Sequence, residues 1–207
     1  KVGKIKNKSL VFLDYAHTPD ALQTCILNIR EQFSDKHISV LFGCGGDRDK
    51  GKRSKMGKIA DKYADKIYLT DDNPRHERPK KIRDEIKRGI KKRQIIEISN
   101  RKEAIVKAIN NLNTGDILIV AGKGHEKIQQ IGIRKVFLSD RQVILSSIKK
   151  RNFNLSTFII FEQTNVKDIT LHKTYNEHIS HVTGLSGQAS NPDSCVSFIY
   201  YVIRYSN

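Results

Sequence analysis

The stretch Lys66–Pro79, "KIYLTDDNPRHERP", passes within a few residues from an apolar run to adjacent carboxylates, an amide, a proline and an arginine. Its first part, "KIYLTD" (66–71), reads as a short strand buried on both faces, the kind used in parallel sheets. After it, Ile82, Ile86 and Ile90 recur at helical spacing. The order is therefore strand, polar loop, helix. Carboxylates and a guanidinium are costly in a core and useful on a rim that faces a ligand, so the loop predicts a site at the carboxyl end of that strand.

The rest of the chain up to about residue 150 repeats this unit. "SLVFLD" (9–14), "HISVLFG" (37–43), "QIIEI" (94–98) and "DILIVAG" (116–122) are short, β-branched runs that also predict strands buried on both faces. Between them lie helical stripes at Leu22, Ile26 and Ile29, at Met56, Ile59, Ala60 and Tyr63, and at Ala104, Ile105, Ala108, Ile109 and Leu112. "KVFLSD" (135–140), followed by the helical "RQVILSSIKK", is expected to close the sheet. Alternating strands and helices imply right-handed crossovers, and so an α/β fold: a Rossmann-like, doubly wound, mostly parallel sheet. In such sheets ligands bind beyond the carboxyl ends of the strands, where "DYAHTPDAL", "GCGGDRDKGKR", "TDDNPRHERP" and "AGKGHE" all fall.

Composition narrows the class. The chain has 207 residues, is 38% hydrophobic and carries a formal charge of +16. No apolar run approaches the roughly 20 residues of a membrane-spanning helix, and "KVGKIKNKSL" lacks the apolar core of a secretory signal, so a cytoplasmic protein without membrane contact is expected. Cys25, Cys44 and Cys195 follow no metal-ligand spacing, which points to reduced thiols. The charge divides as +17 over residues 1–151 and −1 over 152–207. With the Gly/Ser/Asn-rich "GLSGQASNPDS" in the second part, this predicts a domain at 1–151 and an irregular C-terminal extension at 152–207. A basic nucleic-acid-binding α/β module is the alternative reading of the charge, with the cations from Arg78 to Arg93 gripping phosphates. No helix-turn-helix, KH or RNP signature accompanies it.

Each loop also has a plainer reading. "GCGGDRDKG" could be an ordinary turn, and it is no Walker A loop. Thr18 or Asp20 could merely cap a helix, with His17 shaping the turn before it. Lys123 of "AGKGHE" could be a solvated lysine, and "RPKKIRDEIKRGIKKR" the wet face of a helix. Arg48 and Arg75 could sit in surface ion pairs worth little. It is the joint occurrence, in order, that argues for function.

Together these motifs resemble the C-terminal domain of the Mur ligases over roughly residues 8–150, nearest to the branch that adds meso-diaminopimelate. The resemblance implies an ATP-driven amide synthesis. A carboxylate of UDP-MurNAc-L-Ala-D-Glu is phosphorylated, the amine of the incoming amino acid attacks, and ADP and phosphate leave, with Mg2+ supporting the phosphoryl step. Carried over by position, Arg48 would clamp one carboxylate of diaminopimelate. Arg75 would take the second in a charge-assisted pair, and Asp72 with Asn73 would orient the ammonium. The carbonyl of Gly122 and the side chain of Glu126 would accept from the distal amine. Asp14, Tyr15 and His17 resemble residues near the nucleotide, and no catalytic or metal-binding residue is assigned. A ligand with two carboxylates and two ammonium groups needs this inventory of cations and acceptors.

The family's N-terminal and central domains, with the phosphate-binding loop and the magnesium ligands, are not in this sequence. The chain is therefore expected to be a fragment that partners with those domains and is inactive alone. Residues 153–177 faintly resemble the opening of the ligase that adds D-alanyl-D-alanine; the alternative is an unstructured or miscoded extension.

Overall fold

The structure, a computed structural model, describes residues 9–150 and, beyond them, two strands at 158–163 and 198–203. Five strands form the central sheet: β1 (Leu10–Asp14), β2 (Ile38–Phe42), β3 (Lys66–Leu69), β4 (Ile95–Glu97) and β5 (Ile117–Ala121). All pair in parallel in the order β1-β5-β2-β3-β4. The intervening helices are α1 (Pro19–Gln32), α2 (Gly51–Tyr63), α3 (Pro79–Lys87) and α4 (Arg101–Asn110), and α5 (Asp140–Lys150) follows later. The doubly wound expectation holds.

Alternation along the strands divides the core between the two faces. Phe12, Val40, Phe42, Ile67, Leu69, Ile117 and Ile119 pack with Leu22, Ile26, Met56, Ala60, Ile82 and Ile86 from α1, α2 and α3. Val11, Leu13, Leu41, Tyr68, Leu118 and Val120 pack with Ala104, Ile105, Ile109, Val143, Ile144 and Ile148 from α4 and α5. Burying each such Leu, Ile, Val or Phe contributes roughly 1.5–3 kcal/mol. Short unbroken apolar runs therefore suffice for the three inner strands. Helix starts follow local chemistry: the Thr18 hydroxyl accepts from Ala21 N at 3.3 Å, with Pro19 and Asp20 in the first turn of α1. The Asn100 side chain caps α4 by accepting from Glu103 N.

Two expectations need correction. Residues 135–140 do not close the sheet: Arg134–Phe137 form β7, the second strand of an antiparallel hairpin with β6 (Ile128–Ile131), turned at Gly132 with φ 59°. Val136 is 48% and Phe137 63% exposed, so apolar composition misled where burial was assumed. β4 is likewise an edge strand, only half-buried at Ile95 and Ile96 and exposed at Glu97. Within 152–207, Phe158–Gln163 (β8) and Phe198–Ile203 (β9) pair antiparallel, outside the five-stranded sheet. The resemblance at 153–177 otherwise lies outside the described residues, as does Cys195. Cys25 and Cys44 are buried free thiols.

Candidate functional site

The four polar loops meet beyond the carboxyl ends of β1, β2, β3 and β5, and the β6–β7 hairpin joins them. Gly46 N donates to Asn73 O at 2.8 Å, and Gly122 N to Asp14 O at 3.2 Å. The hairpin is stitched to the loop after β3 by Arg75 N to Gln130 O (3.1 Å), Gly132 N to Arg75 O (2.6 Å) and Gln130 N to Asn73 Oδ1 (2.9 Å). Gln129 Nε2 donates to Asp72 O at 2.6 Å. Arg75 has φ 50° and Asp47 φ 52°, a region that side-chain-bearing residues adopt at a cost of about 1–3 kcal/mol each. Strain of this kind persists only where surrounding bonds over-determine it, as they do here.

The loops after β3 and β5 and the hairpin line an open cleft of about 450 Å³ whose walls include Asn73, Arg75, His125, Glu126, Gln130 and Lys135. Asn73 Nδ2 donates to Glu126 Oε2 at 2.9 Å. Arg75 Nη1 donates to Gly46 O at 2.7 Å, which fixes the guanidinium against the loop after β2. Beneath them lies Lys123, 0% exposed, its Nζ donating to Ile128 O (2.6 Å), Glu126 Oε2 (3.1 Å) and Asn73 Oδ1 (3.4 Å). The solvated-lysine reading is thus wrong. Burial works against the Glu126 carboxylate, but the bonds from Asn73 and Lys123 hold its pKa below the usual range. The cleft therefore presents an anchored cation and an ionised acceptor on the same walls.

Asp72 is buried, and one of its oxygens accepts from Asn73 N at 2.6 Å. Gly122 has φ 109°, and a Cβ there would stand 3.1 Å from Asp72 Oδ2, so glycine serves both the backbone turn and the close approach. On the neighbouring rim, Asp14 is buried and accepts from Ala16 N at 2.7 Å; burial raises its pKa against that bond. Tyr15 packs edge-on to His17, with ring centroids 4.6 Å apart, and tilted to His125 at 5.4 Å. Burial and then the charges of Glu126 and Asp72 raise the Tyr15 pKa, which ties this rim electrostatically to the cleft. Lys52 Nζ donates to His17 O at 2.8 Å, joining the loop after β1 to α2.

Asp72, Asn73, Arg75, Gly122 and Glu126 are thus gathered at one place, and Asp14, Tyr15 and His17 at its edge. Arg48 stands apart: it is exposed and forms no ion pair among the described residues, though its side chain and the Arg75 guanidinium both lie against Gly45. Sequence reading missed Lys123, Gln129 and Gln130, and also Arg53 with Glu77. Arg53 is 0% exposed and grips Glu77 with both Nη atoms, at 2.8 and 2.9 Å. Those bonds pull the Glu77 carboxyl down to about 2. Part of the basic run is engaged within the fold rather than free to grip phosphates. Arg83 pairs with Asp71 and Glu97, and Lys87 with Asp84 and Glu97.

Residues 1–124 match the family described as "Mur ligase, glutamate ligase domain". The chain is 56% identical over 150 residues to the UDP-N-acetylmuramoyl-L-alanyl-D-glutamate--2,6-diaminopimelate ligase of Rickettsia rickettsii, covering 72% of this chain and 31% of that one. It is 46% identical over 153 residues to the protein of the same name from Buchnera aphidicola subsp. Baizongia pistaciae, covering 73% and 30%. A solved structure titled as a ligase of that name superposes with a TM-score of 0.64 at 40% identity, covering 68% of this chain and 29% of the other. The chain spans about a third of the length of the curated relatives it matches.

Proposed function

Given that this chain belongs to the Mur ligase family, we propose that it is the amino-acid-binding portion of an ATP-dependent ligase that joins meso-diaminopimelate to UDP-MurNAc-L-Ala-D-Glu. The observation that carries this reading is the pairing, across one cleft, of the anchored Arg75 guanidinium with the ionised Glu126, linked through Asn73. A molecule with a carboxylate and an ammonium at its far end matches that pair. Arg75 binds the distal carboxylate, and Glu126 and the Gly122 carbonyl accept from the distal ammonium. Asp72 and Asn73 hold the loop that orients it. The exposed Arg48 takes the other carboxylate, leaving the proximal amine directed outward to the activated carboxyl group. Such positioning turns a bimolecular attack into a nearly unimolecular one.

ATP, when bound, supplies the phosphoryl group that activates the carboxylate. The rim of Asp14, Tyr15 and His17, with His125 beside Tyr15, fits a nucleoside, since it offers a buried acid, a phenol and two imidazole rings at one edge. Among the described residues no group of three or more His, Cys, Asp or Glu side chains converges to hold a metal, so no step through Mg2+ is derived from them. The preceding two domains of the ligase family are the partners this reading requires. Among the described residues no helix is long and apolar enough to cross a membrane.

The test is a domain exchange. Residues 1–150 of this chain replace the matching segment of the Rickettsia rickettsii relative, and kcat/KM is measured for meso-diaminopimelate and for L-lysine, which lacks the distal carboxylate. The chimera should prefer diaminopimelate. Arg75→Ala should remove about 2–5 kcal/mol of that preference, roughly 30- to 4,000-fold, because a charged pair is lost for one substrate only. A folded chimera that consumes ATP yet prefers lysine refutes the proposed substrate. An unchanged preference in the Arg75→Ala chimera refutes the role of Arg75.

A further inference from the structure

Gly46 joins the loop after β2 to the loop after β3. Its carbonyl holds Arg75 Nη1 and its amide holds Asn73 O. No side chain of its own can secure it, since a Cβ at Gly46 would lie 1.9 Å from Pro74 O. The peptides on either side are secured instead. Arg53 Nη2 donates to Gly45 O at 3.1 Å, and Asp47 N donates to Glu77 Oε1 at 2.7 Å. Arg53 and Glu77 are themselves locked in a two-pronged ion pair, and Arg53 Nη1 reaches on to Glu85 of α3 at 2.6 Å. One buried guanidinium thus spans α2, the loop after β2, the loop after β3 and α3.

We infer that Arg53, acting through Glu77, is a positioning residue for amino-acid selection: it brackets Gly46 from both sides and thereby sets the orientation of the Arg75 guanidinium. This deepens the function proposed above and rests on it. Neither Arg53 nor Glu77 is among the walls of the cleft, so the pair acts through Gly46 and Arg75 rather than by touching the amino acid. A merely structural ion pair would stabilise the fold without altering which amino acid is chosen. The geometry differs from that case because every outward bond of the pair, other than the one to Glu85, ends on a peptide next to Gly46. Lysine at position 53 could keep the charge but could not hold Glu77 with two prongs and Gly45 O together.

The test uses Arg53→Lys and, should that variant fail to fold, Glu77→Gln, which keeps the shape of the side chain. In this chain, amide hydrogen exchange at Gly46 should accelerate at least about tenfold in either variant, while Val120 in the central sheet keeps its protection. In the chimera, the ratio of kcat/KM for meso-diaminopimelate over L-lysine should fall about 10- to 100-fold, through KM for diaminopimelate, with KM for ATP unchanged. The ratio does not depend on how much enzyme is folded. Unaltered Gly46 exchange overturns the inference whatever the substrate is. An unaltered ratio alongside a lowered melting temperature also overturns it, leaving Arg53 as a structural residue. A parent chimera without preference for diaminopimelate, but with accelerated Gly46 exchange in the variants, refutes the proposed substrate and leaves the bracket standing.

Discussion

Replacing Asp140 by Ala should be among the most destabilising single changes in this domain, because Arg101 and Asp140 are an ion pair with both side chains 0% exposed. The Asp140 carboxylate accepts from Arg101 Nε at 2.9 and 3.1 Å and from Nη2 at 2.7 Å, and Nη2 also donates to Ala121 O at 2.9 Å. Arg101 opens α4, Asp140 opens α5, and Ala121 ends β5, so one guanidinium joins three elements behind Gly122. Burial works against a charged Arg101, yet the adjacent Asp140 carboxylate holds its pKa above the ordinary value. A guanidinium remains protonated even without its partner, so Asp140→Ala strands a buried charge whose Nη1 already lacks a hydrogen-bond partner. Leaving one charge of a buried pair uncompensated costs about 3–5 kcal/mol. Taking a urea m-value of roughly 2 kcal/mol per molar, the unfolding midpoint should fall by about 1.5–2.5 M. The double variant Arg101→Met, Asp140→Leu should recover most of that loss, since an apolar replacement removes both desolvation costs together. Urea unfolding followed by circular dichroism on the parent, both single variants and the double variant decides it. If Asp140→Ala costs less than about 1 kcal/mol, the pair is screened by water and the reasoning fails.

The Glu77 carboxyl lies at about 2, below its ordinary 4.5, so it contributes stability that is fully present above pH 4.5 and is lost as pH falls toward 2. Glu77→Gln should flatten that part of an acid-unfolding profile while leaving the profile above pH 5 similar in shape. Lys123→Met in the chimera should raise KM for diaminopimelate by about tenfold or more, since Asn73 and Glu126 lose their common buried donor; an unchanged KM would remove Lys123 from the site. Gly122→Ala should cost about 1–3 kcal/mol in urea, because φ is 109° and the new Cβ would meet Asp72 Oδ2 at 3.1 Å. Ending the chain after residue 151 keeps all five strands of the central sheet and should leave the melting temperature nearly unchanged if β8, which lies alongside β1, adds little to the fold; a large loss would move the domain boundary.

Fold class, and which loops gather at the candidate site, were legible in the pattern of the chain alone. Runs such as "DILIVAG" and "HISVLFG" leave no wet face, so they must be inner strands, and polar residues at their carboxyl ends must lie on one edge of a parallel sheet. The loops that carry Asp72, Asn73, Arg75, Gly122 and Glu126 could be placed on that edge in this way, because motif order and strand direction are properties of the chain alone; the five residues themselves were singled out by the family resemblance. Tertiary structure decided what depends on partners far away in sequence. Lys123, Arg53 and Arg101 look like surface cations in a one-dimensional reading, and each is fully buried because acceptors from other elements offset its desolvation. The segment "KVFLSD" has a strand's composition, but only packing could show that Val136 and Phe137 stay exposed on a hairpin bonded to the backbone of Arg75. Hydrophobic pattern records which residues prefer burial. Where the burial happens, and which charge answers which, is settled only when separate elements meet.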